Sequence, residues 1–195
     1  MIKKKLILYG AGGHAKSCID IIENQKKYKI VGLIGKIDEL NKKVLGYKVI
    51  GTDKDLLKLR KITKNIILAI GPIKKNELRK KKFLKLKLLG FNFPKVISPT
   101  SYVSKHASIG DGSIIFNKCI INAGASIGKN CVINSGTIIE HDVKISNHCN
   151  ISTSITINGN VEVGENSFIG SGSVIIQSTK VKKNSLIPMF SKIKK

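Results

Sequence analysis

The second half of the chain repeats every six residues. From Ile97 onward each sixth position is Ile or Val: Val103, Ile109, Ile115, Ile121, Ile127, Ile133, Ile139, Ile145, Ile151, Ile157, Val163, Ile169, Ile175, Val181, Ile187 and Ile193. Neither an amphipathic helix nor a strand meander produces this, because their apolar periods are about 3.6 and 2. Two residues before these positions stands mostly a small side chain: Ala107, Ser113, Cys119, Ala125, Cys131, Thr137, Cys149, Ser167 and Ser173. Three residues after them come mostly His106, Gly112, Gly124, Asn130, Gly136, Asp142, His148, Asn160, Asn166, Gly172 and Asn184. Residue types that tolerate positive φ, at a fixed place in each hexad, mark a turn. Two extended residues, a turn and an inward β-branched side chain describe one face of a triangular coil. Three faces make a rung of 18 residues, so 97–193 predicts about five rungs of a parallel β-helix. Ile114, Ile120 and Ile138 fall on outward phases, which predicts flat apolar faces that a cyclic trimer would bury.

The first half lacks that period and reads as alternating strands and helices. Residues 5–9 (KLILY) are a buried strand, followed by the glycine-rich turn Gly10 to Gly13 and a helix from His14 to Lys27 with Cys18, Ile19, Ile21 and Ile22 inside. A strand over 29–34, a helix over 53–61, a strand over 65–70 ending at Gly71 and a basic helix from Asn76 to Leu89 complete a βαβαβ plan with a parallel sheet. Residues 90–99 form the hinge. The expected fold class is α/β plus β-solenoid, with one domain over 1–95 and the other over 96–195.

Composition changes this picture little. With 195 residues, 35 basic and 12 acidic, the net charge is +23, a balance that raises nucleic acid or an anionic surface as partner. Only Arg60 and Arg79 are arginines, however, and arginine is the side chain suited to bidentate phosphate and base contacts, so no nucleic-acid partner is expected. No apolar run reaches the ~18 residues of a membrane span, so no membrane insertion is expected, and the opening MIKKKLILYG carries no signal-peptide pattern. A cytoplasmic location is expected. Cys18, Cys119, Cys131 and Cys149 form no CxxC pair, which excludes a zinc finger pattern.

Gly10-x-Gly12-x-x-Ala15 lies between strand and helix, where backbone N–H groups and a helix N-terminus can hold the phosphates of a nucleotide or nucleotide sugar. A nicotinamide dinucleotide also wants an acidic residue ending the second strand. Gly35 and Lys36 stand there, so a dehydrogenase is not expected. The segments LILYGAGGHAKSCIDIIE, LGYKVIGTDKDLL, LAIG, LRKKKF and LGFNFPKVISPTSYVS, with the hexads through IIEHD, resemble the NeuD/PglD-type sugar acetyltransferases from Lys5 to about Lys183. The resemblance implies a Rossmann-like domain that holds a sugar nucleotide, a left-handed β-helix, a homotrimer, and acetyl-CoA bound between subunits. It assigns Gly12, Gly13, His14, Gly35, Lys36 and Gly71 to the sugar nucleotide, and Asn150, Gly159, Gly170 and Ser171 to acetyl-CoA. It makes His141 the catalytic base, Asp142 the residue that tunes it and Asn134 a polar neighbour.

The hexad phase supports that choice of histidine. His106 and His148 sit at the turn phase, whereas His141 lies one place earlier and needs another reason. Imidazole titrates near neutrality, as a general base requires, and a carboxylate beside it raises basicity. No metal is expected, because His106, His141 and His148 are not spaced by multiples of 18 and would not converge. Cys119, Cys131 and Cys149 share the small-residue phase, which reads as packing.

Three features depart from the family pattern. Gly35 and Lys36 replace aspartates that read the nucleoside, Asn150 replaces a histidine that contacts acetyl-CoA, and Ile187 to Lys192 replace a Gly-x-Pro-Ala-Lys tail. The expected activity is transfer of an acetyl group from acetyl-CoA to an amino or hydroxyl group of a nucleotide-linked or sialic-type sugar of bacterial surface glycans. The alternatives are a sugar-nucleotide-binding protein without catalysis and a lysine-rich scaffold for an anionic polymer.

Overall fold

The computed structural model describes residues 3–71 and 77–194, and the predicted helix start at Asn76 lies outside them. The chain divides into two compact units, Met1–Gly71 with Lys81–Pro94, and Pro72–Lys80 with Lys95–Lys195.

The first unit is built on a five-stranded sheet. Its elements are β1 (Lys4–Tyr9), α1 (Gly13–Gln25), β2 (Tyr28–Ile34), β3 (Lys43–Val44), β4 (Tyr47–Gly51), α2 (Leu56–Ile62), β5 (Ile66–Leu68) and, from Lys81 on, α3 (Glu77–Leu88), in the strand order β3-β4-β2-β1-β5. Strands β4, β2, β1 and β5 are parallel, so Gly51, Ile34, Tyr9 and Leu68 all end at one edge. The central β1 buries Leu6, Ile7 and Leu8 completely, as a strand covered on both faces must.

The all-parallel expectation needs correction at the sheet's far side. β3 runs antiparallel to β4 in a two-residue hairpin whose central residues, Leu45 and Gly46, have φ of +47° and +85°. Positive φ at both positions defines the type I′ turn that matches strand twist. Leucine is a poor residue for that conformation, which is why the hairpin left no turn signal in the sequence.

In the second unit seventeen two-residue strands, β6 (Val96–Ile97) to β22 (Lys192–Ile193), each end on the hexad residue. Strands 18 residues apart pair in parallel, for example Ile121 with Ile139 and Ile133 with Ile151, giving three sheets around an apolar interior. The left-handed conformation recurs at every sixth residue from Gly112 to Phe190, including Lys118, Ser154, Ser178 and Phe190, residue types that do not favour it. The ladder on either side imposes the turn even where the residue resists. Thr100 and His106, in the first turns of the coil, lie on the turn phase without a positive φ.

The small inward residues do more than fill space. Ser113, Thr137, Ser167 and Ser173 each donate a hydroxyl hydrogen bond to a carbonyl 15 residues on, at 2.7–3.0 Å. Cys119, Cys131 and Cys149 place Sγ 3.1–3.2 Å from the equivalent carbonyls of Asn134, Ser146 and Gly164. All three are free thiols, and burial pushes those of Cys119 and Cys131 up.

The outward rows differ from face to face. On one, Val96, Ile114, Val132 and Asn150 are buried within the chain. Ile114, at 0% exposure, therefore offers nothing to a neighbour, contrary to its outward phase. A second row, Ser108, Ser126, Lys144, Glu162 and Lys180, is polar. The third carries Tyr102, Ile120, Ile138, Thr156 and Val174, with Ile120 39% exposed.

The turn geometry gives a stability test. Leu45 is 56% exposed, so its side chain contributes little packing to offset a left-handed backbone. Leu45→Asn should raise the unfolding free energy by about 1 kcal/mol in urea melts; an unchanged or lower value would contradict the type I′ assignment.

Candidate active site

The carboxyl edge of the first unit's sheet gathers the residues predicted to hold a sugar nucleotide. Gly10 has φ +127° and donates its N–H to Ile34 O; a β-carbon there would lie 2.7 Å from Ala69 O, so only glycine fits. Gly12 is the N-cap of the 13-residue α1, without a side-chain cap. A β-carbon on Gly12 or Gly13 would meet nothing within 4 Å, so the exposed backbone N–H groups at this helix start are open to an anion. Gly71 makes room for His14, since a β-carbon on Gly71 would come within 3.3 Å of His14 Cβ.

At the end of β2 the structure adds a residue that the sequence reading missed. Glu39 folds back so that Oε2 accepts the Lys36 N–H at 2.7 Å, and Gly35 leaves space for this carboxylate. An acidic group thus occupies the edge where Gly35 and Lys36 supply none. Its signal in the sequence is the i, i+3 spacing of a capping box.

A second missed cluster lies beside it on the same unit. Tyr9 donates its hydroxyl to Asp53 Oδ1 at 2.6 Å, Lys82 Nζ lies 2.5 Å from Asp53 Oδ2, and the Lys82 ammonium stands 5.3 Å from the Tyr9 ring centroid. Burial, then the bond to Asp53, pushes Tyr9 up to about 12. Burial alone would raise the Asp53 carboxyl, but hydrogen bonds from Lys82 and Tyr9 and the charges of Lys82 and Lys85 hold it below the usual range.

In the second unit the predicted residues sort onto two corners of the coil. One corner follows the Tyr102 face and carries His141, Asp142 and Gly159. His141 Nδ1 lies 2.9 Å from Asp142 Oδ2. An ionised carboxylate only accepts, so Nδ1 carries the proton and Nε2 of the neutral ring keeps its lone pair. The imidazole, 59% exposed, lies against Gly159 of the next rung, where a β-carbon would sit 2.6 Å from Nε2. Asp142 rests on Gly124 of the preceding rung, where a β-carbon would overlap Oδ1. Gly124 is therefore a further residue of this corner, and it occupies the turn phase. Glu140 turns away and accepts from Asn122 at 2.9 Å.

The other corner precedes the Tyr102 face and carries Asn134, Gly170 and Ser171, with Asn150 on the strand that leads into it. Asn134 Nδ2 donates to Asn150 Oδ1 at 3.3 Å and to Ile151 O at 3.2 Å. Ser171 Oγ lies 2.7 Å from Ser152 Oγ and accepts from Thr153 at 2.9 Å. A β-carbon on Gly170 would lie 2.6 Å from Pro188 C, so that glycine serves the stacking of rungs. Within one chain Asn134 and His141 are not brought together.

The other histidines are placed differently. His148 is buried, and its Nδ1 accepts from Asn130 Nδ2 at 2.9 Å. Burial, then the charge of Lys80, pushes its imidazole down. His106 is exposed. Among the described residues no three His, Cys, Asp or Glu side chains converge as a metal site.

Comparison with known proteins bears on both units. Residues 5–86 match the family model of the PglD N-terminal domain. An H141N variant of perosamine N-acetyltransferase from Caulobacter crescentus, solved with CoA and GDP-perosamine, is 26% identical and superposes with a TM-score of 0.91 over 100% of this chain and 90% of its own. The acetyltransferase domain of PglB from Neisseria gonorrhoeae is 28% identical, with a TM-score of 0.88 over 98% of this chain and 92% of that one. Residues 5–86 thus carry a PglD N-terminal domain, and the whole chain is similar to solved sugar N-acetyltransferases of the NeuD/PglD type. Its second unit is a left-handed parallel β-helix of hexapeptide repeats, the fold it shares with these structures. WeeI from Acinetobacter baumannii, 18% identical with a TM-score of 0.67 over 97% of this chain and 96% of its own, shares the fold. No curated protein is similar enough in sequence to count as a relative.

The Asp53 cluster sets a pH dependence of stability. A carboxyl held low in the folded state stabilises it above the unfolded pKa, and that contribution is lost as pH falls through the folded value. Asp53→Asn should therefore lower stability at neutral pH, with the gap to wild type closing as melts are taken below about pH 4. An equal gap at every pH would show that Asp53 acts by shape alone.

Proposed function

We propose that this chain transfers an acetyl group from acetyl-CoA to an amino or hydroxyl group of a nucleotide-linked or sialic-type sugar in the assembly of bacterial surface glycans. The observation that carries the proposal is the His141–Asp142 pair. His141 Nε2 accepts the proton that the sugar's amine or hydroxyl loses as it bonds to the thioester carbonyl carbon, and the CoA sulfur departs with the electron pair of the broken C–S bond. Asp142 fixes the tautomer through Nδ1 and favours the imidazolium that forms. The open backbone of Gly12 and Gly13, with His14 and Gly71 behind it, supports phosphate binding at the first unit. Gly35, Lys36 and Glu39 face the nucleoside end of that ligand at the carboxyl end of β2.

The two corners of the coil support a homotrimer. They flank the Tyr102 face, whose outward row exposes Tyr102, Ile120 and Val174. A cyclic trimer that buries this face would set the His141 corner of one protomer against the Asn134, Asn150 and Ser171 corner of the next, completing the acetyl-CoA site. Light scattering should give about three times the protomer mass of 21.3 kDa, and a monomer at micromolar concentration would remove this part of the reading.

The reading of a sugar-nucleotide binder without catalysis draws on the tail, where Met189 and Phe190 are exposed at the end of the coil. Acetyl-CoA turnover with UDP-amino sugars, GDP-amino sugars, CMP-sialic acids and free sialic acids separates the two. With the substrate so identified, His141→Ala should lower kcat by roughly 10² to 10⁴, the usual worth of a general base, while His148→Ala should not. Gly159→Ala should also lower kcat with little loss of stability, because the group it displaces is the end of a movable side chain. Full turnover in His141→Ala would transfer the base to another residue.

A further inference from the structure

The first unit presents a surface that acetyl transfer does not use. α2 and α3 cover one face of its sheet, packing Leu56, Leu59, Phe83 and Leu86 onto Ile7, Ile34, Ile66 and Leu68. Arg60 of α2 donates to Gly90 O just beyond α3 at 3.4 Å, which links α2 to the segment that follows α3. A helix with one face buried ordinarily turns charges of both signs outward. Apart from Glu77 at the start of α3, these two turn out mainly leucine, isoleucine and lysine. On α3 the outward stripe is Lys81, Leu84, Lys85 and Leu88, spaced i, i+3, i+4 and i+7, with Leu88 90% exposed. On α2 it is Leu57, Lys58, Lys61 and Ile62. No acidic residue occurs over 56–76 or 78–110. Asp53, just before α2, is already paired with Lys82.

We infer that the outer surface of α2 and α3 is a docking surface for an anionic lipid membrane, on which the lysines meet headgroups and Leu57, Ile62, Leu84 and Leu88 enter the boundary with the acyl chains. Charge complementarity selects this occupant. A second copy of the same surface would set lysines against lysines. Nucleic acid would leave the four apolar side chains without a partner and would want arginine, yet Arg60 is turned to Gly90 and Arg79 is buried. Clustered lysines are attracted to anionic headgroups, and exposed large aliphatics among them can enter the boundary with the acyl chains, which needs no spanning segment. The docking is independent of the proposed acetyl transfer.

The whole chain is basic, so the test must separate this surface from general attraction. The sequence has no tryptophan, which makes Leu88→Trp a single reporter. Its emission should shift to the blue with phosphatidylcholine vesicles containing about a third phosphatidylglycerol, and stay unchanged with phosphatidylcholine alone. The double variant Leu84→Ser/Leu88→Ser keeps the net charge and should co-sediment with the anionic vesicles about tenfold more weakly. Lys81→Glu/Lys85→Glu should lose binding similarly, whereas Lys129→Glu/Lys144→Glu on the coil, with the same change in net charge, should alter it about twofold or less. Far-UV circular dichroism checks that each variant is folded. An unmoved tryptophan emission, equal losses from the two lysine pairs, or an emission shift with duplex DNA or RNA but not with vesicles would each overturn the proposal.

Discussion

Stacking of rungs 18 residues apart is the constraint on which the second unit and its candidate chemistry depend. Each residue shares its surroundings with the residue 18 before and 18 after, because the backbone hydrogen bonds run from rung to rung, as from Asn160 N to His141 O. A side chain at a corner must therefore lie on whatever the next rung presents. His141 can lie flat because Gly159 has no side chain, and Asp142 can turn back to it because Gly124 has none. The same rule explains the inward Ser, Thr and Cys, whose donors reach the next rung's carbonyls. Ala125 at that phase gives up the bond and keeps only the packing.

This constraint is what made the coil legible. Seventeen β-branched residues at one spacing have a single geometric explanation, and each closes a strand in the structure. Legibility failed where a residue's neighbours, rather than its own type, set its conformation. Lys118 and Phe190 adopt the left-handed turn because the ladder requires it, while His106, near the coil's start, does not. Ile114 reads as outward and is buried. The β3–β4 hairpin was invisible for the opposite reason: its Leu45–Gly46 turn is held by pairing of Lys43 with Lys48 and Val44 with Tyr47, not by a turn-forming dipeptide.

The first unit shows how a local departure can be made good at a short distance. The end of β2 reads as lacking a carboxylate, since Gly35 and Lys36 stand there. Glu39 returns one to the same edge through the Lys36 N–H, a route that works only because Gly35 leaves the space. Position along the chain is a poor guide to position in space when a turn of helix intervenes. The Tyr9, Asp53 and Lys82 cluster makes the same point over longer separations, joining the end of β1, the loop after β4 and α3.

For the proposed chemistry the decisive feature is that a triangular coil keeps its corners a full face apart. His141 and Asn134 are seven residues apart in sequence, a spacing that reads as proximity, yet one lies after the Tyr102 face and the other before it. Each set is internally ordered: His141 by Asp142, and Asn134 by Asn150 and Ile151 O. Neither set reaches the other by side-chain rotation, because the backbone of an intervening strand fixes their separation. On the proposed chemistry, a second copy of the chain would bring the other set to the same thioester. The apolar row of Tyr102, Ile120, Ile138 and Val174 between the two corners is the surface whose burial would place it there.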